Sequence, residues 1–179
     1  MTEPATDGVG AIERLPPLDR LCRAVAILGG VLLALAGLVT VVSVMGRYLF
    51  ISPIRGDIEI VANLTAMAVA LFLPHCQLRR GNVIVDVFTE RASRAVRALL
   101  DAVGSLALAV IAALLAWRLT VGAVDLRNYH DETMVLRLPT WWAFVVIVPA
   151  MALLAVASLA TFWRDLRRYA GRPTAGDLL

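Results

Sequence analysis

The sequence predicts an all-α integral membrane protein with four transmembrane helices and an interfacial amphipathic helix on the cytoplasmic side, between the second and third. Apolar residues make up 60% of its 179 residues, and the mean hydropathy is +0.78, values above those of soluble domains. Charges are segregated, so that residues 24–45 and 141–163 contain none. The arginines are concentrated in a few connecting segments.

The first predicted span covers residues 22–46. Its uncharged part, residues 24–45, is 22 residues long, and at about 1.5 Å per residue such a helix crosses the roughly 30 Å hydrocarbon layer. The run is too long for a cleaved signal peptide and follows a polar leader, so we expect it to remain as an anchor. The leader, residues 1–17, has no periodicity, and we expect it to be mobile.

Three more spans complete the predicted membrane domain of residues 18–169, and residues 170–179 are the predicted cytoplasmic tail. The third span reaches sufficient length only if Arg118 snorkels toward the membrane surface. The predicted spans are residues 58–78, 99–124 and 141–163.

Small residues recur at helical spacing within three of the spans, and such rows let helices approach closely in lipid. They predict packing faces, although an alanine-rich composition would give similar rows without that role. The rows are Gly30, Ala34 and Gly37; Ala62, Ala66 and Ala70; and Ser105, Ala109, Ala112 and Ala116.

The distribution of arginine predicts the topology. All 17 basic residues are arginine, and twelve of them lie before the first span, between the second and third, or after the fourth. The positive-inside rule therefore places both termini and residues 75–97 in the cytoplasm. The same distribution accounts for the net charge of +3 without a nucleic-acid partner. The other five are Arg47, Arg55, Arg118, Arg127 and Arg137.

Residues 83–97 form the predicted interfacial helix. Ile84 and Phe88 lie on its apolar side, and Arg91, Arg94 and Arg97 can contact the anionic head groups of the bilayer. The alternative is a hydrated cytoplasmic loop that happens to be helical.

The chain lacks the patterns that predict catalysis or cofactor binding. Cys22 and Cys76 have no C-x-x-C spacing, and the topology puts both on the reducing side. His75 and His130 fall at opposite membrane faces, so they cannot share one haem. No phosphate loop or carboxylate cluster is present. We therefore expect no enzymatic activity, cofactor or metal site.

Two other classes of membrane protein remain as alternatives. A four-helix redox or haem protein is disfavoured by the placement of the cysteines and histidines. A free-standing small transporter would need an embedded carboxylate in the first span, and residues 24–45 contain none.

Three stretches, in this order and with four spans, resemble the small membrane subunit (DctQ type) of tripartite ATP-independent periplasmic (TRAP) transporters. They are GRYLFISPIRGDIEIV (46–61), CQLRRGNVIVDVFT (76–89) and DETMVLRLPTWWAFVV (131–146). The resemblance covers residues 18–169. Its motifs match at Arg47, Tyr48 and Phe50; at Glu59; at Gly81, Val83, Val85 and Asp86; and at Thr133, Leu138, Pro139 and Trp141. Asn82 stands where the family often has histidine.

The resemblance implies a multi-pass subunit of the bacterial inner membrane that binds a large, elevator-type membrane subunit as part of its fixed scaffold. A periplasmic substrate-binding protein would deliver the solute, an organic acid, for sodium-coupled uptake. A mixed-charge rim could dock that protein, although an ordinary solvated loop surface is the alternative. Its residues are Arg47, Tyr48, Arg55, Asp57, Glu59, Asp125, Arg127, Asp131, Glu132 and Arg137. A pairing of Arg47 with Glu59 could fix the first two helix ends, or these two residues could contribute little beyond topology.

Overall fold

The computed structural model describes residues 16–50, 56–79 and 94–170. These residues form four helices: α1 (Pro16–Phe50), α2 (Asp57–Leu78), α3 (Arg94–Asn128) and α4 (Trp141–Ala170). Each helix contains a stretch that is long and apolar enough to cross a membrane. The predicted fold class, with four membrane-spanning helices, is therefore confirmed.

Several predicted features lie outside the described residues. They are the leader up to residue 15, the tail from residue 171, Arg55, and most of the predicted interfacial helix with Ile84, Phe88 and Arg91. Arg94 and Arg97, which were assigned to that helix, belong to the first turn of α3.

The helices pack as a row in the spatial order α1, α2, α4, α3. The extensive contacts join α1 to α2, α2 to α4, and α4 to α3. The central core lies between α2, α4 and α3, and it is built from Ala70, Leu71, Ala112, Ala150, Met151 and Leu154. As a result, α2 and α4 are inner helices, and α1 and α3 are the edges of the row.

The seam between α1 and α2 is made by residues of α1 that repeat every seven positions. Cys22, Gly29, Ala36 and Ser43 are buried, as expected for a regular helix-packing stripe. The closest approach is at Gly29, where an added Cβ would lie 3.1 Å from the Ala68 carbonyl oxygen. A side chain at this position would force the two helices apart.

The small-residue row predicted for α1 is wrong. Ala34 and Gly37 are exposed, and a Cβ added to Gly30 or Gly37 would meet nothing within 4 Å. Glycine occurs on two adjacent faces of α1, and the face that packs is the one that also carries Ser43, whose hydroxyl has a partner on α2.

The row predicted for α3 is confirmed. Ser105, Ala109 and Ala112 are buried and Ala116 is partly buried, and Ala112 and Ala116 pack in the central core. In α2 the prediction was wrong for two of three residues, because Ala62 and Ala66 are exposed and only Ala70 is in the core.

One end of the row, here called the rim end, is where α1 and α3 finish and α2 and α4 begin. At the α3 edge the end of α3 lies within one arginine side-chain length of the start of α4, because the Arg127 guanidinium lies 5.4 Å from the centre of the Trp141 ring. Depth along α3 and α4 can therefore be counted from this contact.

Two neighbouring glycines test the α1–α2 seam. Replacing Gly29 with Val should lower the free energy of unfolding in lipid nanodiscs by about 1–3 kcal/mol, because the new side chain overpacks the seam. Gly30→Val is the matched control, since it adds the same side chain at an open position. Equal thermal stability of the two variants would contradict this account of the seam.

Candidate partner-binding rim

Two acidic residues occupy the first turn of α2 at the rim end, Asp57 and Glu59. Carboxylates are favourable at a helix N-terminus because they interact with its unpaired N–H groups and dipole. Their side chains reach in different directions, Asp57 toward α1 and Glu59 toward the connection between α3 and α4. The start of α2 therefore joins the two halves of the row.

Asp57 connects α2 to the end of α1. The Ser43 hydroxyl donates a hydrogen bond to Asp57 Oδ2, and the Ile58 N–H donates to Oδ1 at 2.8 Å. Arg47, one turn after Ser43, lies close enough to interact electrostatically with the same carboxylate. Ser43 is buried in the seam, so this hydrogen bond fixes which face of α1 packs on α2.

Glu59 connects α2 to the α3–α4 connection, 76 or more residues away in sequence. The Val135 N–H donates to Glu59 Oε1 at 2.9 Å, and the Leu136 N–H donates to Oε2 at 3.1 Å. The Thr133 side chain and the Met134 amide face the same carboxylate. Successive backbone N–H groups around a carboxylate form a charge-assisted anion nest.

The suggested pairing of Arg47 with Glu59 is therefore wrong. Both oxygens of Glu59 accept hydrogen bonds from the α3–α4 connection, and Arg47 lies near Asp57 instead. These partners could not be predicted from residue types, because the N–H donors are backbone groups that almost any residue provides.

The residues that hold Glu59 form a compact turn, Thr133–Leu138, called here the 133–138 turn. The Thr133 N–H donates to the Leu138 carbonyl at 2.9 Å, and the Leu138 N–H donates to Thr133 Oγ1 at 3.1 Å. Glu132 and Pro139 pair in an antiparallel bridge outside these bonds. Arg137 has φ of 51°, in the left-handed region, which closes the turn.

Gly56 makes room for this turn. It precedes α2 with φ of 82°, where glycine avoids the strain of a Cβ. A Cβ at this position would also lie 2.5 Å from Leu136 Cγ. Both backbone conformation and space therefore favour glycine here, and the Leu136 side chain sits directly on the start of α2.

The charged rim is only partly a free surface. Asp57 and Glu59 are partly buried and serve the internal contacts described above. The rim residues that are exposed are Arg47, Tyr48, Asp125, Arg127, Asp131, Glu132 and Arg137.

Three of the exposed rim residues lie together. Arg127, Asp131 and Glu132 line a cleft of about 430 Å³, whose other walls are Asn128, His130, Pro139 and Trp141. The Arg127 guanidinium is over the Trp141 ring, so this cation is held in place by a cation–π contact. The cleft therefore presents charges of both signs beside an aromatic ring, and of its residue types Arg and Trp are enriched at protein interfaces.

Within residues 16–50, 56–79 and 94–170, no three His, Cys, Asp or Glu side chains are grouped so that they could hold a metal ion. The contribution of Ser43, Gly56 and Leu136 to the rim was not predicted. Gly56 alone carried a signal, because glycine adopts positive φ at little cost in the tight turn between two helices.

The chain was compared with known protein families, curated proteins and solved structures. The family model for "Tripartite ATP-independent periplasmic transporters, DctQ component" matches residues 35–168. The match begins in the second half of α1 and ends near the end of α4, so it includes the rim and the core between α2, α3 and α4, but not Cys22 and Gly29 of the α1–α2 seam. No curated protein and no solved structure matches the chain.

The link between Glu59 and the 133–138 turn can be tested by hydrogen exchange. Glu59→Gln should accelerate amide exchange at Val135 and Leu136 several-fold, because a neutral amide is a weaker acceptor than a carboxylate. The matched control is Glu132→Gln, an exposed acid next to the same turn. If both variants protect these amides as the wild type does, Glu59 does not hold the turn.

The contact between Gly56 and Leu136 can be tested by a double-mutant cycle. Gly56→Ala should destabilise the protein by about 2–4 kcal/mol, the sum of left-handed strain and overpacking. Adding Leu136→Ala should recover the overpacking part and leave the strain. Additive effects of the two substitutions on the unfolding free energy would show that the residues do not interact.

Proposed function

The chain belongs to the DctQ family of tripartite ATP-independent periplasmic transporters, and from this membership we propose that it binds and stabilises the large membrane subunit as part of a fixed scaffold. As a DctQ component it is a small, multi-pass membrane subunit of a TRAP transporter. The family match over residues 35–168 is the observation that carries the proposal.

The links at the start of α2 support a scaffold role. A component that stays still while a neighbour moves must resist rearrangement of its own helices. Asp57 fixes α1, and Glu59 fixes the α3–α4 pair, to the same turn of α2. Interhelical polar contacts of this kind add to the packing forces that hold helices together in lipid.

The apolar faces of the row support a partner in the membrane. The edge helix α1 exposes large side chains along its length, among them Ile27, Val31, Leu38 and Val41, each more than half exposed. Lipid can cover such a surface, and so can the helices of a larger membrane subunit.

We place the rim end in the periplasm and both termini in the cytoplasm of a bacterial inner membrane. The support is the arginine distribution, since Arg20, Arg23, Arg79 and Arg164 lie at the end opposite the rim, as the positive-inside rule requires. In this orientation the rim cleft faces the compartment of a soluble substrate-binding protein.

The rim cleft is the proposed docking site for that binding protein. Its exposed charges of both signs can complement a partner surface and speed encounter, and Arg127 beside Trp141 pairs the two residue types that are enriched at energetically important interface positions. The complex would then carry out sodium-coupled uptake of an organic acid.

The experiment that tests the proposal is purification of the tagged chain from native membranes in mild detergent. A much larger membrane protein should co-purify with it, and the two together should move solute into liposomes only when the binding protein is present. Transport by this chain alone would favour a free-standing small transporter, and a haem spectrum would favour a redox protein.

Charge reversal tests the docking site. Arg127→Glu should slow association with the binding protein several-fold at low salt and much less above physiological ionic strength, because exposed charges are screened over about 8 Å at 0.15 M. Arg20→Glu, at the opposite end of α1, is the control. Stopped-flow association rates that are equal for both variants and the wild type would contradict docking at the cleft.

A further inference from the structure

Arg118 lies deep within the membrane-spanning part of the protein. It precedes Arg127 by nine residues, which corresponds to about 14 Å along the helix axis, and Arg127 lies beside Trp141 at the rim end. The span of α4, Trp141–Arg164, has 24 residues and is therefore about 36 Å long. Arg118 is thus nearer to the middle of the layer than to its surface.

Arg118 also faces away from the other helices. At about 100° per residue it lies on the side of α3 opposite Ala109 and Ala112, which pack against α4. Its neighbours on that side are Ile111, Leu114 and Val121, which are 53%, 52% and 42% exposed. We call this surface of Ile111, Leu114, Arg118 and Val121 the outer face of α3.

The charge of Arg118 is not neutralised within the described part of the chain. The guanidinium lies 5.9 Å from the centre of the Trp117 ring, and no carboxylate in residues 16–50, 56–79 or 94–170 forms an ion pair with it. A cation in the hydrocarbon layer is costly unless it is paired or reaches the surface.

The direction of the side chain makes it difficult for Arg118 to reach the surface. Bonds from Cα to Cβ tilt toward the N-terminus of a helix, and α3 runs toward the rim end. The side chain therefore starts out away from the nearer surface, and the contact with Trp117 holds the guanidinium beside α3. The opposite surface is more than 20 Å away by the same helix rise.

We propose that the outer face of α3 docks a transmembrane helix of the large membrane subunit, and that a carboxylate of this helix pairs with Arg118. This assignment rests on the proposed function, and it identifies both the surface and the chemistry of the contact. A buried guanidinium–carboxylate pair forms charge-assisted hydrogen bonds and fixes the relative depth of two helices.

Other occupants match the outer face less well. A soluble binding protein does not reach this depth. A second copy of the chain offers no carboxylate at this depth, since its nearest one on α3, Asp125, lies seven residues, or about 10 Å, closer to the rim end. Lipid phosphates lie at the surface, about 14 Å from Arg118 along the axis by the count from Arg127.

The test measures retention of the large subunit in lipid nanodiscs. Arg118→Leu should weaken the complex at least about tenfold, since its partner carboxylate would be left unpaired in the membrane, whereas Arg118→Lys should retain part of the affinity. Arg79→Leu removes an exposed arginine at the end of α2 and is the matched control, which should bind as the wild type does. The isolated Arg118→Leu chain should be at least as thermally stable as the wild type.

A photo-crosslinking residue at Leu114 identifies the occupant directly. We expect this residue to crosslink to the large subunit when Arg118 is present and to give no such crosslink when Arg118 is replaced by Leu. Equal retention by wild type and Arg118→Leu, or crosslinks to lipid alone, would overturn the assignment and leave the proposed function intact. A wild-type chain that retains no large subunit would overturn both.

Discussion

The structure depends on the first turn of α2, where two carboxylates two residues apart bind to opposite neighbours. In lipid there is no hydrophobic driving force between helices, so the row needs polar contacts as well as close packing to hold one arrangement. Asp57 accepts a hydrogen bond from Ser43 in the α1 seam, and Glu59 accepts two N–H groups from the 133–138 turn. Since α2 packs between α1 and α4, these bonds fix both sides of the row at its rim end.

The row has consequences for what such a subunit can do. Its seams contain small residues such as Gly29, Ala68 and Ala112, so the helices approach closely, and many large apolar side chains lie on the outside. Four helices in a row also leave more apolar surface uncovered than four in a closed bundle of the same length. This shape agrees with the proposed role of a fixed wall beside a larger membrane protein, with α3 as the edge helix proposed for the contact.

Much of the fold could be predicted from the sequence because lipid requires long apolar runs, and residues 24–45 of α1 and 141–163 of α4 carry no charge. The faces that pack were harder to predict. On α3 the row with Ser105 and Ala112 is the one small-residue face in the pattern. On α1, Gly29 and Gly30 lie on two adjacent faces, and the face that packs is distinguished only by Ser43, which bonds to α2. Glu59 was expected at the rim, but its partners are backbone amides 76 and 77 residues away, which no spacing rule predicts. The depth of Arg118 in the membrane could not be predicted from the sequence, because it depends on how α3 is aligned with α4. Arg55, Ile84, Phe88 and Arg91 lie outside the described residues, so their roles remain predictions.

A distance measurement across the rim end tests most directly whether the start of α2 holds the row together. Spin labels at Tyr48 and Met134, which are 85% and 97% exposed, would report the separation of the α1 end from the 133–138 turn in a Cys22→Ala, Cys76→Ala background. Double electron–electron resonance should give one narrow distance distribution, and the combined Asp57→Asn and Glu59→Gln substitutions should broaden it markedly. A distribution that stays equally narrow after both substitutions would contradict the account.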